Sequence, residues 1–349
     1  MRNALIISLN FNPGHISHLI ASYHQCEELG FEAAYYVGSA FVPFLPSGSR
    51  IIVAGDKLIP QVSLAFFLFP SQRNLSLIRR LKHQGAKVLY VFHEPLAPMK
   101  EYREAGFSYM QLVRLWIINQ VSALTVRRSD AILLPSKKAF KLYQANSLYC
   151  NENIFYLPLL FDDERVVRLA SLSRPFFSYI GTIAADHSFN EYLGFVEWAL
   201  KENRLMGVRF LIATKSQFDI PSLFLTSSRV VIEKGQPLSN DEINECYSSS
   251  FAVWNAYTRT TQSGVLAKSF MFGTPAIVLR RNLSEFTEDG KEVVAIDNNE
   301  SFEEIEHALS IILDNFDSFS TNARKRFDEC FFYKNYNKRL KEIIDSLLQ

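Results

Sequence analysis

The sequence predicts an α/β protein of two consecutive Rossmann-like domains, each a doubly wound parallel sheet, and three observations predict it. At 349 residues the chain exceeds the size at which one hydrophobic core keeps growing. Apolar runs of strand length alternate with helical stretches closed by glycine, and this series occurs twice. Between the two series, Phe161 to Pro175 loses the apolar rhythm and carries Asp162, Asp163 and Glu164, which places the linker there. The domains are expected at residues 1–168 and 169–333, with a last helix in 334–349 packing back on the first domain. In such sheets ligands bind outside the carboxyl ends of the strands, so two facing domains imply one interdomain cleft.

The elements follow in order. Ala4 to Asn10 reads as a buried strand, Phe11 to His15 as a turn, and His18 to Leu29 as a helix closed by Gly30. Next come a strand over Leu64 to Phe69, a helix over Asn74 to His83 ended by Gly85, and a strand over Val88 to Phe92. A long helix is expected from Phe107 to Arg128, then a strand over Ala131 to Leu134, a helix capped by Ser136, and a strand over Ile154 to Leu157. The second series opens with a strand over Phe177 to Ile180, the Gly181 turn and an aromatic-rich helix over Asn190 to Leu200. Strands at Phe210 to Ala213 and Val230 to Ile232 precede a helix whose Ser239 and Glu242 form a capping box. The strand Ala252 to Trp254, the loop to Gln262, the helix Ser263 to Phe272 and the strand Ala276 to Leu279 complete it, before terminal helices.

Composition excludes several classes. Apolar residues make up 48% of the chain and charged ones 21%, a globular balance rather than a disordered one. Cys26, Cys150, Cys246 and Cys330 form no C-x-x-C pair, so neither a zinc knuckle nor a disulfide framework is indicated, and a cytoplasmic setting is expected. The opening MRNALIISLNFNPG is too short and wrongly flanked for a signal peptide, and no apolar run reaches membrane-spanning length. The charge is lopsided: Arg73 to Lys141 holds 13 basic against 4 acidic residues, and Glu285 to Gln349 holds 8 against 15. A basic first half is drawn to anionic membranes or phosphate-bearing acceptors; nothing beyond that patch favours nucleic acid.

The segment with the most chemistry is Thr261-Gln262-Ser263-Gly264-Val265-Leu266-Ala267-Lys268, followed by Met271-Phe272-Gly273-Thr274-Pro275. Ser263 is a good N-cap, and Gly264 lets a ligand approach backbone N–H groups at a helix start whose dipole favours anions, the outline of a diphosphate site. An ordinary capped helix would read the same way. Arg259, Lys268 and Lys215 are the cations expected to offset diphosphate charge. In the first half, Asn12-Pro13-Gly14-His15 follows a strand, with Gly14 permitting close backbone approach. Phe92-His93-Glu94-Pro95 puts an imidazole and a carboxylate at a strand's carboxyl end. Spacing does not choose among His15, His93 and Glu94 as a general base. Tyr102 to Lys141 interleaves Phe107, Tyr109, Met110, Leu112, Trp116 and Ile117 with Arg103, Arg114, Arg127, Arg128, Lys137 and Lys138, a pattern shared by helices that lie on membranes and by ordinary core packing.

These motifs resemble the GT-B glycosyltransferases that build bacterial surface polysaccharides. Ser263-Gly264, Gly273-Thr274-Pro275-Ala276, Glu285 and Asp289-Gly290 occupy places where that family has its Ser-Gly loop, Gly-x-Pro-Val, a glutamate and an Asp-Gly turn. Lys234-Gly235-Gln236-Pro237-Leu238-Ser239 with Tyr247, and Asp130 to Ser136, look like its other signatures. The resemblance implies a GT-B fold, a nucleotide-sugar donor bearing UDP or GDP, a saccharide acceptor that is lipid-linked where the basic half meets a membrane, and no metal or other cofactor. It implies donor contacts from Gly14, Thr182, His187, Lys215, Tyr257, Arg259, Gln262, Ser263, Gly264, Val265 and Lys268, and catalytic roles for His93, Glu94 and His15. The chain departs from the retaining branch: Thr260 and Lys268 stand where many members carry two glutamates, and Thr182 and His187 stand where many carry Arg and Lys. A nucleotide-sugar 2-epimerase and a catalytically inactive partner subunit share the architecture and remain as alternatives.

Overall fold

The computed structural model describes residues 2–55, 59–165 and 174–349. The expected boundary between 168 and 169 lies outside them, as does most of the expected linker. The chain forms two compact units, one of Met1–Met99, Ser108–Asp162 and Phe331–Gln349, the other of Lys100–Phe107 and Asp163–Cys330.

In chain order the first part carries β1 (Arg2–Ser8), α1 (Ile16–Glu28), β2 (Phe31–Val37), β3 (Ile51–Val53), β4 (Leu64–Phe67), α2 (Asn74–His83), β5 (Lys87–Val91), α3 (Met99–Glu104), α4 (Tyr109–Arg128), β6 (Ala131–Leu134), α5 (Lys137–Ala145) and β7 (Ile154–Tyr156). Seven parallel strands lie in the order β3-β2-β1-β4-β5-β6-β7, with Ala4 of β1 facing Ala33 on one side and Leu64 on the other. Strands covered on both faces must be apolar throughout, and Ala4 to Ile7 and Leu64 to Phe67 are all buried. β2 and β3 had no counterpart in the sequence reading. β2 begins one residue after Gly30, whose φ of +84° closes α1, so no polar break separates helix from strand.

After the second unit the chain returns at Phe331. Phe161 and Phe332 form a parallel bridge, and Phe161 N–H donates to Phe331 O at 2.9 Å. Tyr333 Oη (2.7 Å) and Asn337 Nδ2 (2.6 Å) both donate to the Glu28 carboxylate at the end of α1. The last helix, α12 (Asn337–Leu348), buries Leu340, Ile343, Ile344 and Leu347.

The second unit continues with β8 (Phe176–Ile180), α6 (Phe189–Lys201), β9 (Arg209–Thr214), α7 (Ser222–Thr226), β10 (Val230–Lys234), α8 (Asn240–Ser248), β11 (Ser250–Asn255), α9 (Gly264–Met271), β12 (Ala276–Leu279), β13 (Val293–Ile296), α10 (Phe302–Asp314) and α11 (Phe316–Cys330). Its six parallel strands run β10-β9-β8-β11-β12-β13, the same order of reversal as in the first sheet. The unit also includes residues 100–107, which the sequence reading assigned to the first domain. Tyr102 lies there beneath the Arg259 guanidinium, a contact that sequence distance hides.

Aromatic side chains dominate this core. Phe177, Tyr179, Tyr192, Phe195, Phe210 and Trp254 are all buried. Such rings bring large apolar area but must satisfy their polar atoms. Tyr192 Oη stands 2.9 Å from Phe177 O and 3.1 Å from Leu211 O, and the Trp254 indole N–H donates to Ser188 O at 3.1 Å. Truncating Trp254 to alanine should destabilise the protein by about 3–5 kcal/mol through cavity formation. Urea unfolding followed by circular dichroism reads this; a loss under about 1 kcal/mol would show that the site collapses freely.

Candidate functional site

Each sheet reverses its strand order beside its first strand, and each reversal opens a crevice at the strands' carboxyl ends. In the second unit the reversal lies between β8 and β11. There β8 leads into Gly181, at φ +136°, a conformation open to glycine and costly for other residues. A side-chain carbon on Gly181 would meet Val265 Cγ2 at 3.5 Å, so this turn and the start of α9 are neighbours. Gly181 N–H donates to Ala213 O, and Ile183 N–H donates to Ser216 Oγ at 3.1 Å, which brings Lys215 beside the same turn. Lys215 is half-buried, and desolvation draws its ammonium below the usual lysine range.

The start of α9 is a capped helix N-terminus. Ser263 caps it, its hydroxyl accepting from Leu266 N–H at 3.3 Å and from Asn255 Nδ2 at 2.8 Å. Ala267 N–H takes the Ser263 carbonyl. Among the described residues no protein acceptor takes the N–H groups of Gly264 and Val265, the orphan donors that every helix start exposes. Gln262 precedes the cap and is half-buried.

A second group gathers against it. His187 donates Nδ1–H to Thr182 O at 2.6 Å, its Nε2 lies 3.9 Å from Asp186 Oδ1, and its ring stacks on Tyr257 at 4.2 Å and 10°. Burial, with Asp186 nearby, pushes the Tyr257 hydroxyl up, so it stays protonated. Thr258 N–H donates to Asp186 O at 2.9 Å, and Arg259 sits 3.9 Å from the Asp186 carboxylate. Arg259 is only 3% exposed; Glu101 lies 4.0 Å from its Nε, and the Tyr102 ring lies 4.4 Å below it. Ser188, next after His187, is held left-handed at φ +53°, which costs about 1–2 kcal/mol for an L-residue. Hydrogen bonds from Trp254 to its carbonyl and from Asn299 to its hydroxyl hold it there and fix the Asp186-His187 turn.

Of the expected donor residues, the structure thus brings together Thr182, His187, Lys215, Tyr257, Arg259, Gln262, Ser263, Gly264 and Val265. Lys268 departs from expectation. It is 6% exposed, with Nζ 3.1 Å from Glu164 Oε2 and 2.6 Å from Asn240 Oδ1, while Asn240 and Asn244 also donate to Glu164. Burial lowers its ammonium from the usual range, and Glu164 pulls the opposite way. Its ammonium is already paired within the protein, away from the start of α9, against the expectation that it faces a diphosphate. Asp186, Glu101 and Tyr102 are further partners of Arg259; Asp186 lies within the loop after Gly181, but nothing in the sequence ties residues 101 and 102 to residue 259.

Gly14 and the three catalytic candidates belong to the first unit. Gly14 is exposed on a tight turn whose Asn12 side chain accepts its N–H, and its φ is not left-handed. Near the reversal between β1 and β4, His15 stacks on Phe69 at 3.3 Å and Phe69 stacks on His93 at 4.6 Å. His93 donates Nε2–H to Leu68 O at 2.7 Å. Burial, with the His18 imidazole 6.3 Å away, lowers its pKa to about 3, so it is neutral at pH 7 and a weak proton acceptor, against the expectation that it serves as general base. Glu94 is exposed and His15 half-buried. Among the described residues no three or more His, Cys, Asp or Glu side chains converge as metal ligands.

No protein-family model and no curated protein sequence matches the chain. Solved structures do: this is the α/β fold of the GT-B glycosyltransferases, two parallel-sheet units with helices. Sucrose-phosphate synthase from Thermosynechococcus elongatus superposes with a TM-score of 0.71 at 12% identity, covering 99% of both chains. HepE from Anabaena, solved with UDP and glucose, gives 0.71 at 12% identity over 99% of this chain and 100% of its own. A glycosyltransferase from Rickettsia africae gives 0.67 at 12% over 100% and 99%.

An unfolded histidine takes a proton near pH 6.5 while folded His93 does so only near pH 3, so its contribution to stability is lost as pH falls through that window. Between pH 6.5 and 5 the protein should lose up to about 2 kcal/mol more than His93→Gln, which keeps a donor for Leu68 O; equal losses in urea unfolding would mean that His93 is protonated in the native state. Glu164→Gln should cost about 3–5 kcal/mol by stranding the Lys268 charge. The double variant Glu164→Leu/Lys268→Met should be less destabilised, and additive costs would show that the two do not act as a pair.

Proposed function

We propose that the protein transfers a sugar from a nucleoside-diphosphate donor to a saccharide acceptor, lipid-linked in the assembly of a surface polysaccharide, and that it does so without a metal. One observation carries the reading: the Gly264 and Val265 amides at the start of α9 stand at the strand reversal of the second sheet, beside the Gly181 turn and with the buried cation Arg259 in the same loop. Backbone amides and a desolvated guanidinium suit a pyrophosphate, and in the apolar surroundings of Tyr257 and Tyr102 they lose little to water. The binding of UDP and glucose by HepE supports a uridine donor here.

In the proposed reaction the bond between the sugar's anomeric carbon and the diphosphate breaks, and the acceptor hydroxyl oxygen bonds to that carbon. The electron pair leaves with the nucleoside diphosphate, where the α9 amides, Arg259 and Lys215 stabilise it as charge develops. The acceptor's proton goes to His15 or Glu94 if configuration inverts, and to the leaving phosphate if it is retained.

UDP or GDP should raise the melting temperature in the presence of EDTA. Gly264→Asp places a carboxylate where phosphate would sit, while an acidic residue in the first helical turn suits the helix dipole and leaves folding intact. It should weaken nucleotide binding at least about tenfold, from the loss of one charge-assisted hydrogen bond or more. Unchanged binding would move the donor site elsewhere. With a labelled nucleotide sugar, transfer to an added saccharide supports the reading; an epimerised sugar or no turnover would replace it with one of the other two.

A further inference from the structure

Helix α4 carries apolar residues on two faces, where a surface helix ordinarily has one. Its inner face buries Leu112, Asn119, Ser122, Ala123 and Val126, and α2 packs beside it. Its outer face is apolar as well: Tyr109 is 74% exposed, Met110 76%, Trp116 54%, Ile117 49% and Leu124 46%, with Val113 also exposed. These positions follow helical spacing and form one stripe about 22 Å long. An apolar stripe on a helix ordinarily packs inward; this second one faces outward.

The charges on the helix itself have one sign. Residues 105–129 contain no Asp or Glu. Arg114, Arg127 and Arg128 are exposed on α4 itself, and Arg79 and Arg80 are exposed on the neighbouring α2. Ser108 and Gln111 form a full capping box, so the helix is held to its first turn without a partner.

We propose that the outer face of α4 docks on an anionic lipid bilayer, lying in the headgroup region with its apolar side chains buried and its arginines reaching lipid phosphates. Trp116 and Tyr109 are of the amphipathic kind that settles at that depth, and arginines bury their stems while their heads stay wet. Among the described residues no helix is long and apolar enough to cross a membrane, so the contact is with the surface. A second copy fits less well. A two-fold contact would set the same arginine-bearing flanks against each other, and the helix offers no carboxylate to pair with them. The inference stands apart from the transfer reading and needs neither donor nor acceptor.

Flotation with phosphatidylcholine vesicles, with and without phosphatidylglycerol and with no nucleotide present, tests it. The protein should float with the anionic vesicles, less so as salt rises, and stay below with phosphatidylcholine alone. Trp116→Ser/Ile117→Ser should weaken partitioning at least about tenfold. Arg127→Gln/Arg128→Gln should weaken it about fivefold per arginine. Both pairs replace exposed side chains, and unchanged melting temperatures confirm intact folding. Failure to float with anionic vesicles, or variants that float as well as the parent, would overturn the proposal. A dimer on size exclusion that Trp116→Ser/Ile117→Ser converts to monomer would assign the face to a second copy instead.

Discussion

The structure turns on a constraint of parallel sheets: where consecutive strands depart to opposite sides of the first strand, their carboxyl-end loops leave in opposite directions and cannot close over the gap. In the second unit this gap separates the end of β8 from the end of β11. What borders it is fixed by backbone rather than by long side chains. Gly181 takes a φ of +136°, Ser188 is held left-handed by two hydrogen bonds, and Ser263 spends its hydroxyl on capping α9. Rigid borders of this kind hold their N–H groups in place before any ligand arrives, which lowers the cost of binding an anion.

Two buried cations of the second unit show how burial alone does not define a role. Lys268 and Arg259 are about equally hidden from solvent, at 6% and 3% exposure. Lys268 meets Glu164 at 3.1 Å and Asn240 at 2.6 Å, a tight pair that neutralises it. Arg259 has its carboxylates at 3.9 and 4.0 Å, beyond hydrogen-bond distance, and an aromatic ring beneath it, so it is held by longer-range charge and stacking rather than by one tight pair. A lysine replaced by arginine at 268, or the reverse at 259, would not preserve either environment, since planar stacking belongs to the guanidinium.

Much of this was legible in the sequence because parallel strands buried on both faces read as unbroken apolar runs and because glycine and serine mark helix ends. The helix over Asn74–His83, the Ser239 capping box and the Ser263 helix start were all legible in that way. β2 was not, since Phe31 follows Gly30 directly and its Ala-Ala-Tyr-Tyr core suits a helix or a strand equally. The gathering of Thr182, His187 and Tyr257 was readable only as a set of loop residues; their stacking and hydrogen bonds are tertiary facts. Least legible were the partners of the cations, because Glu164 and Glu101 lie 104 and 158 residues from the lysine and arginine they face. Charge pairing carries no periodicity, so sequence offers no signal for it.

The same reasoning separates the two sides of α4. Its apolar residues in the sequence were compatible with core packing or with a membrane surface, because periodicity cannot assign a face when both faces are apolar. Exposure resolves the ambiguity that composition left: Leu112 and Val126 go inward, while Tyr109, Trp116 and Ile117 go outward. Exposed apolar patches of this extent are uncommon on proteins that work alone in water. The absence of acidic residues over residues 105–129 adds a second, electrostatic constraint on whatever covers the stripe: an acidic partner is welcome and a basic one is not. The strand reversals open at the carboxyl ends of the sheets, whereas α4 packs Ala123 and Val126 into the first core and turns its stripe outward, so the crevices and the exposed stripe are built from different parts of the sequence.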